Sequence, residues 1–182
     1  MDMNFDKFIK NNLIEAISLD KYYYLITNLH KTDVSKDEEY QTKFNAFYKV
    51  RRDAKKRKIF YDYFESIKDN KNIKYEDIIT YLYKKTGNVE ASFSSKILAT
   101  ISPNMPIIDQ FVLQNLNEEL SGKSKGEKIK SSIEVYYRIV EKENNLLTSK
   151  EIKSFVKDFH RMFKEYNLSD IKILDYYLWK NR

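Results

Sequence analysis

Apolar residues return every three to four positions along nearly the whole 182-residue chain. That spacing lays them on one face of an α-helix, whereas a half-buried strand would show strict alternation. Three glycines and two prolines are all that interrupt it, and these are the strongest local breakers. The pattern predicts an all-α protein with helices near 4–17, 19–29, 36–51, 53–69, 75–86, 89–101, 109–119, 126–144, 149–166 and 169–180. Capping residues mark several starts. Asp33 to Ser35 precede Lys36-Asp37-Glu38-Glu39, Thr148-Ser149 precede Lys150-Glu151, and Ser169-Asp170 open the last run, placing acids in first turns, where the helix dipole favours them. No internal repeat is visible.

Composition then narrows the class. With 42% hydrophobic residues the chain has enough apolar surface for one core and too little length for two ordinary domains, so a single compact domain is expected. Its net charge of +6 favours an anionic partner, and DNA fits. With no cysteine, and with His30 and His160 isolated from each other, neither a disulfide nor a zinc site is expected, and no cofactor is implied. No stretch approaches the length of a membrane span, and Met1-Asp2-Met3-Asn4-Phe5-Asp6-Lys7 lacks the basic start and apolar block of a signal peptide, so a cytoplasmic protein without a membrane partner is the expectation. Heavy use of Lys, Asn, Ile and Tyr suits an AT-rich bacterial or mobile-element coding sequence. Nothing in the pattern sets an oligomeric state.

Pro106-Ile107-Ile108-Asp109-Gln110-Phe111-Val112 carries the clearest candidate chemistry. It puts a carboxylate at the end of an apolar, proline-stiffened loop and at the start of a helix, where Asp109 also suits an N-cap. A helix covers about 15 Å from Ala91 to Ile101, and the loop 102–108 can span up to about 25 Å, so Asp109 can return beside the start of the preceding helix. Ser92, Ser95 and Ala99 share a small-residue face of that helix, with Lys96 one turn beyond Ser92 as a partner for Asp109 or a phosphate. Glu90 lies in its first turn.

Two further groups suggest binding. Gln41, Asn45, Tyr48 and Arg52 fall at i, i+4, i+7 and i+11 along one stripe, and amide, phenol and guanidinium groups supply directional donors and acceptors that suit a base edge. The run from Lys49 to Lys58 is the densest positive charge in the chain, with Arg51, Arg57 and Lys58 as phosphate contacts. Ser121-Gly122-Lys123-Ser124-Lys125-Gly126 reads as a connector whose Lys123 and Lys125 can also meet phosphate.

The segment from Gly87 to Leu116, with its glycine turn, short helix and apolar-Pro-Ile-x-Asp-x-x-Val ending, resembles the helix-hairpin-helix DNA glycosylase superfamily. The resemblance implies a helix-hairpin-helix glycosylase-like fold, in which a single domain can form two lobes with a cleft near 87–116, and Asp109 as the essential carboxylate; the stripe Gln41, Asn45, Tyr48 and Arg52, with Ser92, then supplies the candidate substrate pocket. The second hairpin glycine falls on Val89, so the hairpin is degenerate. The lysine that forms a Schiff base in bifunctional members falls on Ala91, five residues before Lys96, which implies base excision without strand cleavage. A longer resemblance, through Gln41 to Arg52, Val89 to Lys96 and Asp175 to Arg182, links the chain to an uncharacterised family of bacterial proteins of similar length. Two other readings stand beside the glycosylase. One is a non-catalytic DNA-binding protein of the same fold; the other is a cytoplasmic interaction protein of a defence or mobile-element locus. Salt-dependent DNA binding separates the last from the first two, and base release separates the first from the second.

Overall fold

The computed structural model describes residues 16–50 and 53–180. The predicted helix 4–17 therefore lies outside the described residues except at its end, which belongs to α1 (Ala16–Asn28); Arg51 and Arg52 lie outside them as well. Every element among the described residues is helical.

Local chemistry sets the boundaries. α2 (Glu38–Tyr48) begins where Asp37 accepts the Tyr40 N–H. Asp33 is used one turn earlier, where its Oδ1 accepts from the Ser35 amide at 3.0 Å and the Ser35 hydroxyl at 2.6 Å. α2 ends at Tyr48 rather than near 51 because Lys49 turns left-handed, at φ 54°. Asp53 caps α3 (Ala54–Ile67) through the Lys56 N–H. α4 (Tyr75–Thr86) stops at Gly87, whose φ of 70° lies in the left-handed region that glycine enters without strain. The residues Gly87 to Glu90 then turn the chain into α5 (Ala91–Ile101).

α5 is the central helix. Ala91 and every residue from Phe93 to Thr100 are buried, as expected where a helix is apolar on all sides. Its polar residues are satisfied close by: Ser94 Oγ donates to the Glu90 carbonyl at 2.9 Å and Thr100 Oγ1 to that of Lys96 at 2.8 Å. The following loop is pinned at three points. The Ile108 N–H donates to Ser95 Oγ at 2.8 Å, the Ile107 N–H to Asp175 Oδ1 at 3.3 Å, and Ser169 Oγ to the Pro103 carbonyl at 2.6 Å. The loop thus returns beside the middle of α5, not its start. Asp109 caps α6 (Gln110–Asn115), which is shorter than predicted because Asn117 turns left-handed at φ 50°.

Ser124 and Glu127 form a capping box at the start of α7 (Lys125–Leu146), which begins one residue before the predicted helix 126–144 and takes Lys125 and Gly126 out of the connector. α8 (Lys150–Met162), capped by Ser149, buries Ile152, Phe155, Val156 and Phe159 along one stripe. After a 3-10 turn at Lys164–Tyr166 comes α9 (Asp170–Lys180), buried continuously from Ile171 to Leu178. α4 packs on α3, α5 and α7; α9 packs on α6, α7 and α8. A single hydrophobic cluster runs from Leu19 to Leu178, so the described residues form one compact domain around one core rather than separately cored lobes. Within it Phe44 is fully buried among the rings of Tyr48, Phe60, Tyr61 and Phe64, at centroid distances of 4.8 to 5.9 Å, and this anchors the end of α2. Among the described residues no helix is long and apolar enough to cross a membrane.

Candidate functional site

A cleft opens where four segments meet: the end of α2 (Phe47, Tyr48), the middle of α5 (Lys96), the return loop (Ile107, Asp109), and one face of α9 (Lys172, Asp175, Tyr176, Trp179). Its empty volume, counted to the open mouth, is about 360 Å3. The walls are aromatic. Phe47 lies 6.4 Å from Trp179 and 4.7 Å from Tyr48, and Tyr176 lies 6.4 Å from Trp179, centroid to centroid. At the rim the Lys180 ammonium sits 4.1 Å over the Trp179 ring.

The polar groups are held firmly. Asp109 is half-buried; its Oδ1 accepts the Phe111 N–H at 3.0 Å, while its other oxygen accepts no hydrogen bond from the described residues. Lys96 is buried and donates from Nζ to the Tyr48 carbonyl at 3.0 Å, a bond that also satisfies a free carbonyl at the end of α2. On α9, Lys172 Nζ and Asp175 Oδ2 pair at 3.1 Å with side chains only 5% and 2% exposed. Burial opposes the Lys172 charge, yet the Tyr48 phenol, the Asp175 carboxylate and the Tyr22 phenol around it hold its pKa above the usual lysine range. Burial raises Asp175, while Lys172 and the Ile107 N–H work in the other direction. The Tyr48 hydroxyl is hydrogen-bonded to Thr100 Oγ1 at 3.2 Å, and burial pushes its pKa up.

Asp109, Lys96 and Tyr48, predicted from sequence, are thus brought together. The rest of the polar stripe is not. Gln41 donates from Nε2 to the Val34 and Ser35 carbonyls, both at 3.0 Å, and Asn45 Oδ1 accepts the Tyr61 hydroxyl at 2.9 Å. Neither lines the cleft; both tie α2 to its neighbours, which corrects their assignment to the substrate pocket. Arg52 lies outside the described residues. Ser92 also stays out of the lining, with its carbonyl accepting Ser95 Oγ at 2.9 Å.

The predicted phosphate contacts are dispersed. Arg51 lies outside the described residues. Exposed Lys58 pairs with Asp62 at 2.6 Å. Arg57 lines a second hollow with Val50, Lys56, Phe60, Leu82, Thr86, Glu90 and Phe93, beside the hairpin. Lys123 is exposed, and Lys125 donates from Nζ to the Gly87 carbonyl at 2.6 Å, which brings a cation from α7 onto the hairpin itself. No group of histidines and acids suited to a metal ion occurs among the described residues.

Lys172, Asp175, Tyr176 and Trp179 were missed by sequence reasoning. Their signal was present: in Ile171-Lys172-Ile173-Leu174-Asp175-Tyr176-Tyr177-Leu178 apolar residues occupy every face of the helix. A helix apolar all round is buried, so any charges inside it are buried too and must find partners. Comparison with family models, with curated proteins and with solved structures finds no match to this chain.

Proposed function

We propose that the protein excises a modified or mispaired base from DNA as a monofunctional N-glycosylase of the helix-hairpin-helix type. The observation that carries this reading is the meeting of Asp109 with Lys96 in one aromatic-walled cleft. It is supported by the layout around it, in which α4, the turn Gly87 to Glu90, α5 and the pinned return loop lead in order to that carboxylate.

The chemistry makes definite demands. Breaking an N-glycosidic bond gives the sugar oxocarbenium character, and a nearby carboxylate stabilises that charge or orients the attacking water. Asp109 has an oxygen left over from capping for this task. The target nucleotide must also leave the stack and be held; Phe47, Tyr176 and Trp179 offer ring faces for stacking. Cations on Lys125 and Lys180 lie at the hairpin and at the rim, where flanking phosphates would pass. No strand cleavage follows, because the hairpin position that would supply the amine is Ala91, and the cleft's lysines are engaged, Lys96 by a carbonyl and Lys172 by Asp175.

The test is release of free base, measured by mass spectrometry, from DNAs carrying a panel of natural and modified bases. Asp109→Asn should abolish release while leaving DNA binding within a few-fold, because asparagine keeps the shape and is itself a good N-cap. Full turnover in a folded Asp109→Asn protein removes this mechanism. Borohydride should trap no protein–DNA adduct; an adduct lost in Lys96→Ala would instead make Lys96 a nucleophile.

A further inference from the structure

Behind the cleft floor lies a second tier of polar groups that the proposed reaction does not use. Glu143, from the inner face of α7, is fully buried, and neither of its oxygens accepts a hydrogen bond from the described residues. The buried hydroxyls of Tyr22 on α1 and Tyr136 on α7 are also without hydrogen-bond partners among the described residues. The groups that interact with this tier include Lys172 and Asp175 from α9, Tyr48 from α2, Tyr137 from α7, and Tyr75 from α4, whose ring stacks on Tyr136 at 4.0 Å. α7 packs on α9, and the charges of Glu143 and Asp175 influence each other.

Counting charge shows where a proton must sit. Two carboxyls face one ammonium, all three buried, and a buried carboxylate without a counter-charge or donor is strongly disfavoured. Asp175 has both, since it accepts from Lys172 Nζ at 3.1 Å and from the Ile107 N–H at 3.3 Å. Glu143 has neither. The anion therefore belongs on Asp175 and the proton on Glu143, for which Asp175 is the charged acceptor among the groups that interact with it. Burial first, and the Asp175 charge second, hold the Glu143 carboxyl well above the usual range.

We propose that Glu143 and Asp175 together form the acid of the base-excision reaction, with Asp175 the catalytic group at the cleft floor and Glu143 the positioning residue that stores its proton. The proposal rests on the glycosylase reading above. As the N–C1′ bond breaks, its electron pair goes to the departing base. The proton crosses from Glu143 to Asp175 and from Asp175 to the base, which leaves neutral. Water adds to C1′ and gives its own proton to Asp109; before the next turnover Asp109 returns that proton to solvent, and Glu143 is reprotonated through Asp175 at the cleft floor. Lys172 keeps Asp175 from retaining the proton. The arrangement sets a leaving-group acid and a carboxylate for the sugar in one cleft, the division of labour expected where two carboxyl groups sit in different environments.

The experiment combines infrared spectroscopy with single-turnover base release on the full chain. At neutral pH the unaltered protein should show a protonated-carboxyl stretch that shifts when the protein is labelled with 13C-carboxyl glutamate; its absence overturns the proposal without any variant. Glu143→Gln keeps the shape of the protonated acid and a donor toward Asp175 but has no transferable proton. It should bind DNA normally, lose about a hundredfold or more in release rate, and lack the fall in rate at high pH expected of the unaltered protein. If release disappears in Asp109→Asn yet Glu143→Gln keeps the full rate and the same pH profile, this proposal fails and the glycosylase reading stands. If the unaltered protein releases no base from any DNA of the panel, both fail.

Discussion

α2 and α9 each bring polar side chains to a helix that borders the cleft, and they use them in opposite ways. On α2 the amides of Gln41 and Asn45 are spent on the Val34 and Ser35 carbonyls and on Tyr61, leaving only Phe47 and Tyr48 for the cleft. On α9 the polar residues are few, but Lys172 and Asp175 lie at the cleft floor inside an otherwise apolar, buried helix. Directional hydrogen-bonding groups on a half-buried helix are first claimed by neighbouring loops and helices, which always have backbone carbonyls to satisfy. An ion pair held deep in the core is not explained by the one backbone N–H, that of Ile107, which Asp175 satisfies, since well-packed apolar residues are often as stable. The buried pair, more than the polar stripe, is therefore the mark of function.

Removing half of the α9 pair should produce the largest effect. Asp175→Ala leaves the Lys172 ammonium buried without its carboxylate and should cost about 3–5 kcal/mol in urea unfolding. Replacing both residues, as in Lys172→Met with Asp175→Leu, should recover most of that stability while base release stays lost. That split between stability and activity is what separates a functional pair from a structural one. A loss below about 1 kcal/mol in Asp175→Ala would mean that the pair is solvated, and α9 would then resemble α2 after all.

A second test uses pH. In the unfolded chain Glu143 ionises near the ordinary value of 4.5, whereas in the folded protein burial and Asp175 keep its proton on to well above that. Between those two values the folded state binds more protons than the unfolded state. Stability is therefore fully supported by this group below the unfolded value and falls as pH rises toward the folded one, by up to about 1.4 kcal/mol per pH unit. Glu143→Gln cannot ionise, so its stability should decline less across that window and exceed that of the unaltered protein at its alkaline end. Parallel unfolding curves for the two proteins across the window would show that Glu143 is ionised in the folded state.

Much of this was legible before any coordinates. The all-helical class, the cap at Asp109 and the return of its loop toward α5 followed from periodicity, capping chemistry and chain length, because those depend on neighbours in sequence. The same local rules misplaced the start of α2, since Asp33 and Asp37 are equally good caps and tertiary contacts, including the Thr32 hydroxyl on Asp37, chose between them. The content of the cleft was less legible. Gln41 and Asn45 share a stripe with Tyr48, but helical spacing does not reveal that Tyr61 and the 34–35 loop reach them first. Glu143 stands in the polar run Glu141-Lys142-Glu143-Asn144, where nothing local marks it as inward-facing; the packing of α7 on α9 buries it.

The smallest effect sharpens the α2 side of the comparison. Asn45→Ala removes the carbonyl that accepts the Tyr61 hydroxyl at 2.9 Å, but that hydroxyl still reaches the Gln41 carbonyl at 3.2 Å. One hydrogen bond is lost and no group is stranded, so the cost should be about 0.5–1.5 kcal/mol in urea unfolding. Discrimination between target and undamaged DNA should stay unchanged, because Asn45 does not line the cleft. A residue that read a base edge would behave differently, with about 1–3 kcal/mol of discrimination lost and little change in stability. Paired measurement of unfolding and of binding to the two DNAs separates these outcomes, and a loss confined to target DNA would return the α2 stripe to the recognition surface.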